Sequence, residues 1–206
     1  MLNNENSSTT FNNFKDIPSL VYKIFIYLMT NESDECNNFW KVLNYPTDDA
    51  LSKLNLTIEQ KRALIWNGDS IENDYKLFNK PLISDSMIDA NSMIQIRMYR
   101  HSLIPTTRLD ATILLETDFY TNDKTAQIRD ENGNLVERTD WLEASFLTML
   151  NGIDLGLGYN YLQFNREINR SIMSSININN SKSFYGRSML MALQYSKIDS
   201  GGYCNG

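Results

Sequence analysis

Few residues in this chain are equipped for chemistry. His101 is the only histidine, set between Arg100 and Ser102. Glu116 and Asp118 stand two apart in an alternating run, so on a strand both carboxylates point to one face, as the acid pair of a hydrolase would. A general base also needs a nucleophile in reach and a third group to orient it. No Gly-x-Ser-x-Gly and no cysteine-centred motif supplies them. His101 is therefore expected to be a surface or edge-strand side chain, and the carboxylate pair to be the wet face of a half-exposed sheet.

Metal and phosphate chemistry fare no better. Asp118, Asp123, Asp130 and Glu131 lack the spacing of a calcium loop, with its central glycine and terminal glutamate. Gly152, Gly156 and Gly158 look superficially like a nucleotide loop. A phosphate cradle needs a strand before it and a helix after, and here the predicted order is reversed, so this segment is a connector. Cys36 and Cys204 are far apart and imply neither a disulfide framework nor a metal site. Trp40, Trp66 and Trp141 fall on helical stripes and are expected in the core. The expectation is a protein that is not an enzyme, with no catalytic residue, no cofactor and no metal.

Composition bounds the remaining functions. The 206 residues suffice for one domain with a helical extension, and 42% hydrophobic with 11% aromatic content argues for a globular fold. A formal charge of -6 disfavours a surface that clamps nucleic acid, because phosphate affinity comes from clustered Lys and Arg. The longest apolar run, Ile17 to Met29, is shorter than the roughly 20 residues a bilayer needs and is interrupted by Lys23. The start, Met1 to Asn6, has no basic stretch leading into an apolar one, so no signal peptide is expected. The many asparagines, paired at Asn12-Asn13, Asn37-Asn38 and Asn179-Asn180, are taken as the mark of an AT-rich genome.

The elements that must position these groups divide the chain. Residues 1–13 are polar and are expected to be a flexible arm unless a partner orders them, 14–90 a mostly helical extension, 91–198 an α+β domain and 199–206 a flexible tail. A first helix starts at Asp16-Ile17-Pro18, with Ile17, Leu20, Val21, Ile24 and Leu28 at helical spacing. A second follows Ser33-Asp34-Glu35 and ends before Pro46; a third opens on the capping box Thr57 to Gln60 and closes at Asn67-Gly68. Residues 69–90 read as loop with one short helix at most. Alternation begins at Met93 and recurs from Ala111 to Phe119, giving two strands. Asp130 to Asn134, between Ile128 and Val136, signals a projecting hairpin. Thr139-Asp140 with Glu143 starts a helix that stops at Asn151-Gly152. Strands then follow at 159–164, 172–178 and, after a polar turn, along 183–195.

From Arg108-Leu109-Asp110 through Phe119, Asp130-Glu131-Asn132-Gly133 and Glu137-Arg138-Thr139-Asp140 to Leu150-Asn151-Gly152, the chain resembles neck proteins of tailed bacteriophages. Tyr161-Leu162-Gln163-Phe164, Ile176-Asn177-Ile178-Asn179-Asn180 and Ser183-Phe184-Tyr185-Gly186-Arg187 continue the likeness. Within that group the β-β-α-β-β order is similar to the tail-terminator and connector-ring fold, and the asparagine-rich style to crAss-like phages.

The resemblance spans roughly residues 92–196. It implies an α+β fold, with a helical N-terminal part before a mainly antiparallel sheet, and a homo-oligomeric ring in the virion neck, assembled in host cytoplasm. Its partners would be portal or other neck rings and tail proteins, with DNA passing through the lumen without specific binding and no membrane contact. Asp130, Asn132, Gly133 and Val136 in the hairpin, and Phe184, Tyr185 and Arg187 on the last strand, would meet neighbouring subunits. The alternative is a host-surface or glycan-binding tail protein, motivated by Trp, Tyr and Asn side chains.

Overall fold

The N-terminal helices form because their apolar residues return every three to four positions. In the computed structural model, which describes residues 17–68, 75–81, 94–106, 110–155, 159–163, 175–177 and 184–196, a single turn of 3-10 helix at Ile17–Ser19 leads into α1 (Leu20–Thr30). Leu20, Val21, Ile24, Phe25, Leu28 and Met29 are buried on one side of α1. Ser19 holds the N-cap position without a side-chain capping bond to the helix; Asp16, the expected cap, lies outside the described residues. In α2 (Asp34–Asn44), Ser33 caps as expected by accepting from the Cys36 amide at 3.3 Å, while Asp34 and Glu35 place negative charge at the dipole's positive end. The third helix, α3 (Ile58–Ala63), carries the complete capping box: Thr57 Oγ1 accepts from the Gln60 amide and Gln60 Oε1 from the Thr57 amide.

One element falls where the sequence reads as loop. Leu77–Phe78 is a two-residue strand, β1, parallel to the next strand. Two residues are too few to show alternation, so it carries no periodic signal. The long strands β2 (Ile94–Pro105) and β3 (Asp110–Asn122) pair antiparallel, and the register slips at His101, which is the extra residue of a β-bulge between Arg100 and Ser102.

The expected hairpin is present as β4 (Gln127–Arg129) and β5 (Leu135–Glu137), closed by the Asp130 turn with Gly133 at φ +80°. Helix α4 (Arg138–Leu150) follows directly. The expected start at Thr139-Asp140, with Glu143 reaching back to it, does not form. Glu137 occupies the N-cap position, the Thr139 hydroxyl turns back to donate to Glu137 Oε1 at 2.7 Å, and Glu143 is buried beside Arg187 instead. Gly152 at φ +85° ends the helix as expected. Strands β6 (Tyr159–Gln163), β7 (Ser175–Asn177) and β8 (Phe184–Ser196) complete an α+β molecule with a mixed sheet.

The sheet runs β1-β2-β3-β8-β6, with β7 also on β8; among the described strands only β1 to β2 is parallel. Strand alternation then sorts side chains by face. Ile94, Ile96, Met98, Ile113, Leu115, Phe119, Met189, Met191 and Leu193 join one apolar core with Leu20, Ile24, Phe25, Phe39, Trp40, Leu142 and Phe146 of the helices. Aromatic edges link the layers, with Phe39 5.9 Å from both Trp40 and Phe146, and Phe146 5.6 Å from Phe119. This core runs across the boundary drawn near residue 90.

A buried cation joins the same two halves. Arg138 is fully buried, and its guanidinium donates to the carbonyls of Val42, Tyr45 and Thr47 at the end of α2, and to that of Thr125 before β4. Carbonyls at a helix C-terminus carry the negative end of its dipole, so they stabilise this charge.

Candidate functional site

The face of the sheet turned away from the helices gathers the polar groups. Arg97 on β2, Asp118 on β3 and Ser188 on β8 stand opposite one another in the register; Gln95, Tyr120 and Gly186 form the next row, and Tyr99, Glu116 and Leu190 the row on the other side. Asp118 is 3% exposed and Arg97 fully buried. The expectation of a wet face is therefore overturned at Asp118, because its hydrogen-bonding partners come from the same sheet. Its Oδ2 accepts from the Tyr120 hydroxyl at 3.2 Å and the Tyr99 hydroxyl at 3.4 Å. Its Oδ1 is buried with no hydrogen-bond partner among the described residues.

Burial sets the proton affinities. It raises the Asp118 carboxyl above the ordinary aspartate range, against the opposing effect of its hydroxyl neighbours. Burial, followed by the Asp118 charge, pushes both the Tyr99 and Tyr120 hydroxyls upward, so they remain donors at neutral pH. Burial lowers Arg97 to about 10, which still leaves it a cation. Its guanidinium donates to Gln95 Oε1 at 3.2 Å and lies 5.1 Å from the Phe78 ring centroid and 5.9 Å from that of Tyr120.

Glu116 makes a second set of contacts toward the surface. His101 Nδ1 lies 2.7 Å from Oε2, and the Ser188 hydroxyl donates to Oε1 at 3.1 Å. The bulge explains the first contact: the extra residue swings the imidazole onto the carboxylate's face. His101 is exposed, as expected. The carboxylate sits between hydroxyl and imidazole, whereas acyl transfer requires the imidazole to touch the hydroxyl and the carboxylate to lie behind it. This order ties β8, β3 and β2 together and does not assemble a hydrolytic relay. Among the described residues, no three His, Cys, Asp or Glu side chains are placed to hold a metal ion. Cys36 is buried, donates to the Leu28 carbonyl at 3.0 Å, and has its thiol pushed up to about 11 by burial, which suits an unreactive core position.

The seven residues expected at subunit contacts occupy two places. Asp130, Asn132, Gly133 and Val136 lie together on the β4–β5 hairpin. Asp130 Oδ1 accepts from the amides of Asn132 and Asn134, and Oδ2 from the Asn134 side chain, so this carboxylate shapes its own turn. Val136 is half-buried and packs on the core, whereas Leu135 is 54% exposed. Phe184 and Tyr185 sit at the start of β8, in register with Asn122 and Thr121. Arg187 points to the helix side, where its Nε lies 2.6 Å from Asp140 Oδ1 and its Nη1 donates to Glu143 Oε2 at 3.1 Å. Asp140 also borders the open concavity beside Asp130, Asn132 and Val136. The structure thus brings Arg187 to the helix bordering the hairpin and leaves it engaged within its own chain.

Sequence reasoning missed Arg97, Tyr99, Tyr120 and Gly186. The first three alternate with Ile96, Met98 and Phe119, and alternation marks such positions as outward without saying what covers them. Gly186 had a readable signal, since glycine inside a strand marks close approach. A Cβ there would meet the Phe119 carbonyl at 2.5 Å and the Tyr120 ring at 2.7 Å.

No protein-family model matches the chain, and no curated protein is similar to it. Among the described residues, no helix is long and apolar enough to cross a membrane.

Proposed function

We propose that the chain is a structural subunit of a tailed-phage neck, forming a homo-oligomeric ring of the connector or tail-terminator kind between portal and tail. The observation that carries this reading is the open edge of β2. Only Ile96 and Arg97 have a strand partner on the side away from β3, so among the described residues the stretch from Tyr99 to Pro105 presents unpaired backbone along one edge. Ile104 is 49% exposed there. An edge of this kind accepts a strand from a neighbour, and a head-to-tail contact closes into a ring when its rotation fits.

Three further points support the reading. The hydroxyl, carboxylate and imidazole groups are arranged to lock strands together. The hairpin exposes Leu135 beside polar turn residues. A net charge of -6 suits a lumen through which DNA slides without being held.

Native mass measurement and electron microscopy of the purified protein, alone and mixed with portal, test this reading. Closed rings are expected, and Ile104→Glu should disperse them while leaving the fold intact. A protein that stays monomeric at all concentrations and binds no portal, neck or tail component overturns it.

A further inference from the structure

A groove of about 730 Å³ opens between α1, α3 and the segment leading to β1. Tyr22, Ile26 and Met29 of α1 form one wall, and Trp66 and Tyr75 contribute to the opposite one, with Arg62 among the polar groups. The opposite wall is fixed in place: the Trp66 ring stacks on Phe78 at 6.3 Å, Lys80 Nζ stands 4.2 Å from the indole centroid, and the Tyr75 hydroxyl donates to Asn67 Oδ1 at 3.1 Å. Tyr22 is 56% exposed at the rim. A concavity of this size with a mostly apolar lining is built to take a side chain or ligand.

The occupant is indicated by where the described chain begins. Sixteen residues precede Ile17, and Ile17–Ser19 leads directly into the helix that forms the groove wall. Those residues are mainly Asn, Ser and Thr, but they carry two phenylalanines, Phe11 and Phe14. At a rise of about 1.5 Å per residue, Tyr22, Ile26 and Met29 lie roughly 8, 14 and 18 Å along the helix from Ile17. An extended chain covers at most about 3.3 Å per residue, so a segment folding back along α1 carries Phe14 no further than about 10 Å and Phe11 no further than about 20 Å. Within those limits and the length of a phenylalanine side chain, Phe14 can meet the stretch from Tyr22 to Ile26, and Phe11 can meet Met29 and Trp66.

We infer that the groove between α1 and α3 is the docking site of the chain's own N-terminal segment, with Phe11 seated against Met29 and Trp66 and Phe14 against Tyr22 and Ile26. Burying two rings in an apolar groove offsets the ordering of a short polar segment. The docking is intramolecular, so it is independent of protein concentration. It stands apart from the ring proposed above and does not require it.

The test uses the full chain with the photo-cross-linker benzoylphenylalanine in place of Phe11, and separately in place of Phe14. Light should join position 11 to Met29 or Trp66 and position 14 to Tyr22 or Ile26, in products of monomer mass whose yield does not change on dilution. Ile26→Asp, at a partly exposed position, should abolish the position 14 adduct. In the otherwise unmodified chain, Phe11→Ser should lose amide protection at Leu64 to Asn67 in hydrogen exchange. Adducts outside the groove, unchanged exchange in Phe11→Ser, or groove adducts found only in products of dimer mass would each overturn the inference. Loss of rings with intact groove adducts would count against the ring reading alone.

Discussion

The two faces of the sheet are drawn from the same strands and covered by different means. Toward the helices, Ile96, Phe119 and Met189 meet apolar side chains from α1, α2 and α4, and the burial is stabilised by contact area alone. On the other face, Arg97, Asp118 and Tyr120 are buried too, but each has a polar or aromatic partner across the β2–β3 pair, Tyr99 bonding Asp118 and Arg97 stacking on Tyr120, beside the bonds made within a strand to Gln95 and between Tyr120 and Asp118. An apolar face tolerates small shifts, because dispersion contacts are numerous and non-directional. A buried polar face depends on register: slip one strand by one residue and every carboxylate faces the wrong side. The bulge at His101 places the register change near the surface, beyond the Arg97–Asp118–Ser188 row.

Substitutions can break or sharpen this contrast. The largest effect is expected from Phe119→Ala on the helix side, which removes a ring packed edge-on against Phe146; urea unfolding should show a loss of about 3–5 kcal/mol. A loss below about 1 kcal/mol would mean that this face is not the main core. Next comes Gly186→Ala on the polar side. Its new Cβ must displace the Phe119 carbonyl or the Tyr120 ring, at an expected cost of about 1–3 kcal/mol in the same assay. Equal stability would show that Tyr120 moves freely and that the polar face is looser than its geometry suggests.

Asp118→Asn probes the polar face through pH. Burial raises the folded-state pKa of Asp118, so between the unfolded value near 4 and the higher folded value the native state binds more protons than the unfolded chain. Stability therefore falls as pH rises through that window. Glu143, also raised by burial, acts with the same sign but is present in both proteins and cancels in their difference. Thermal melts across pH should show the wild type losing stability relative to Asp118→Asn as pH rises above about 4; a difference that does not vary with pH would sink the assignment. The smallest effect belongs to Glu116→Gln, whose partner His101 is largely exposed; a change of about 0.5 kcal/mol or less is expected, and a larger one would extend the buried network to the surface.

These contrasts were partly legible in the residues. The alternation of Ile94, Ile96 and Met98 with Gln95, Arg97 and Tyr99 predicts β2 and assigns its faces, and local chemistry gives the Thr57 to Gln60 box and the Asp130 turn. Periodicity also puts Glu116 and Asp118 on one face. It cannot tell a face wetted by solvent from one buried with its polar groups bonded, because the composition of a single strand is the same in both cases. That distinction rests on Tyr99, Tyr120 and Ser188, whose positions follow from strand pairing across the sheet. Arg138 was illegible for a similar reason: its partners are carbonyls, which every residue has.

Arg138 also bears on how the chain matures. Its guanidinium closes contacts to Val42, Tyr45 and Thr47 that span more than 90 residues of sequence. Such long-range closure is slow and comes late, since loop entropy must be lost before the contact forms. As the chain leaves the ribosome, the end of α2 emerges well before the arginine that satisfies it. Until α4 follows, the carbonyls at the end of α2 lack their cation and Phe39 lacks the Phe146 ring it packs on, so for that interval the first half of the protein keeps part of its apolar surface uncovered.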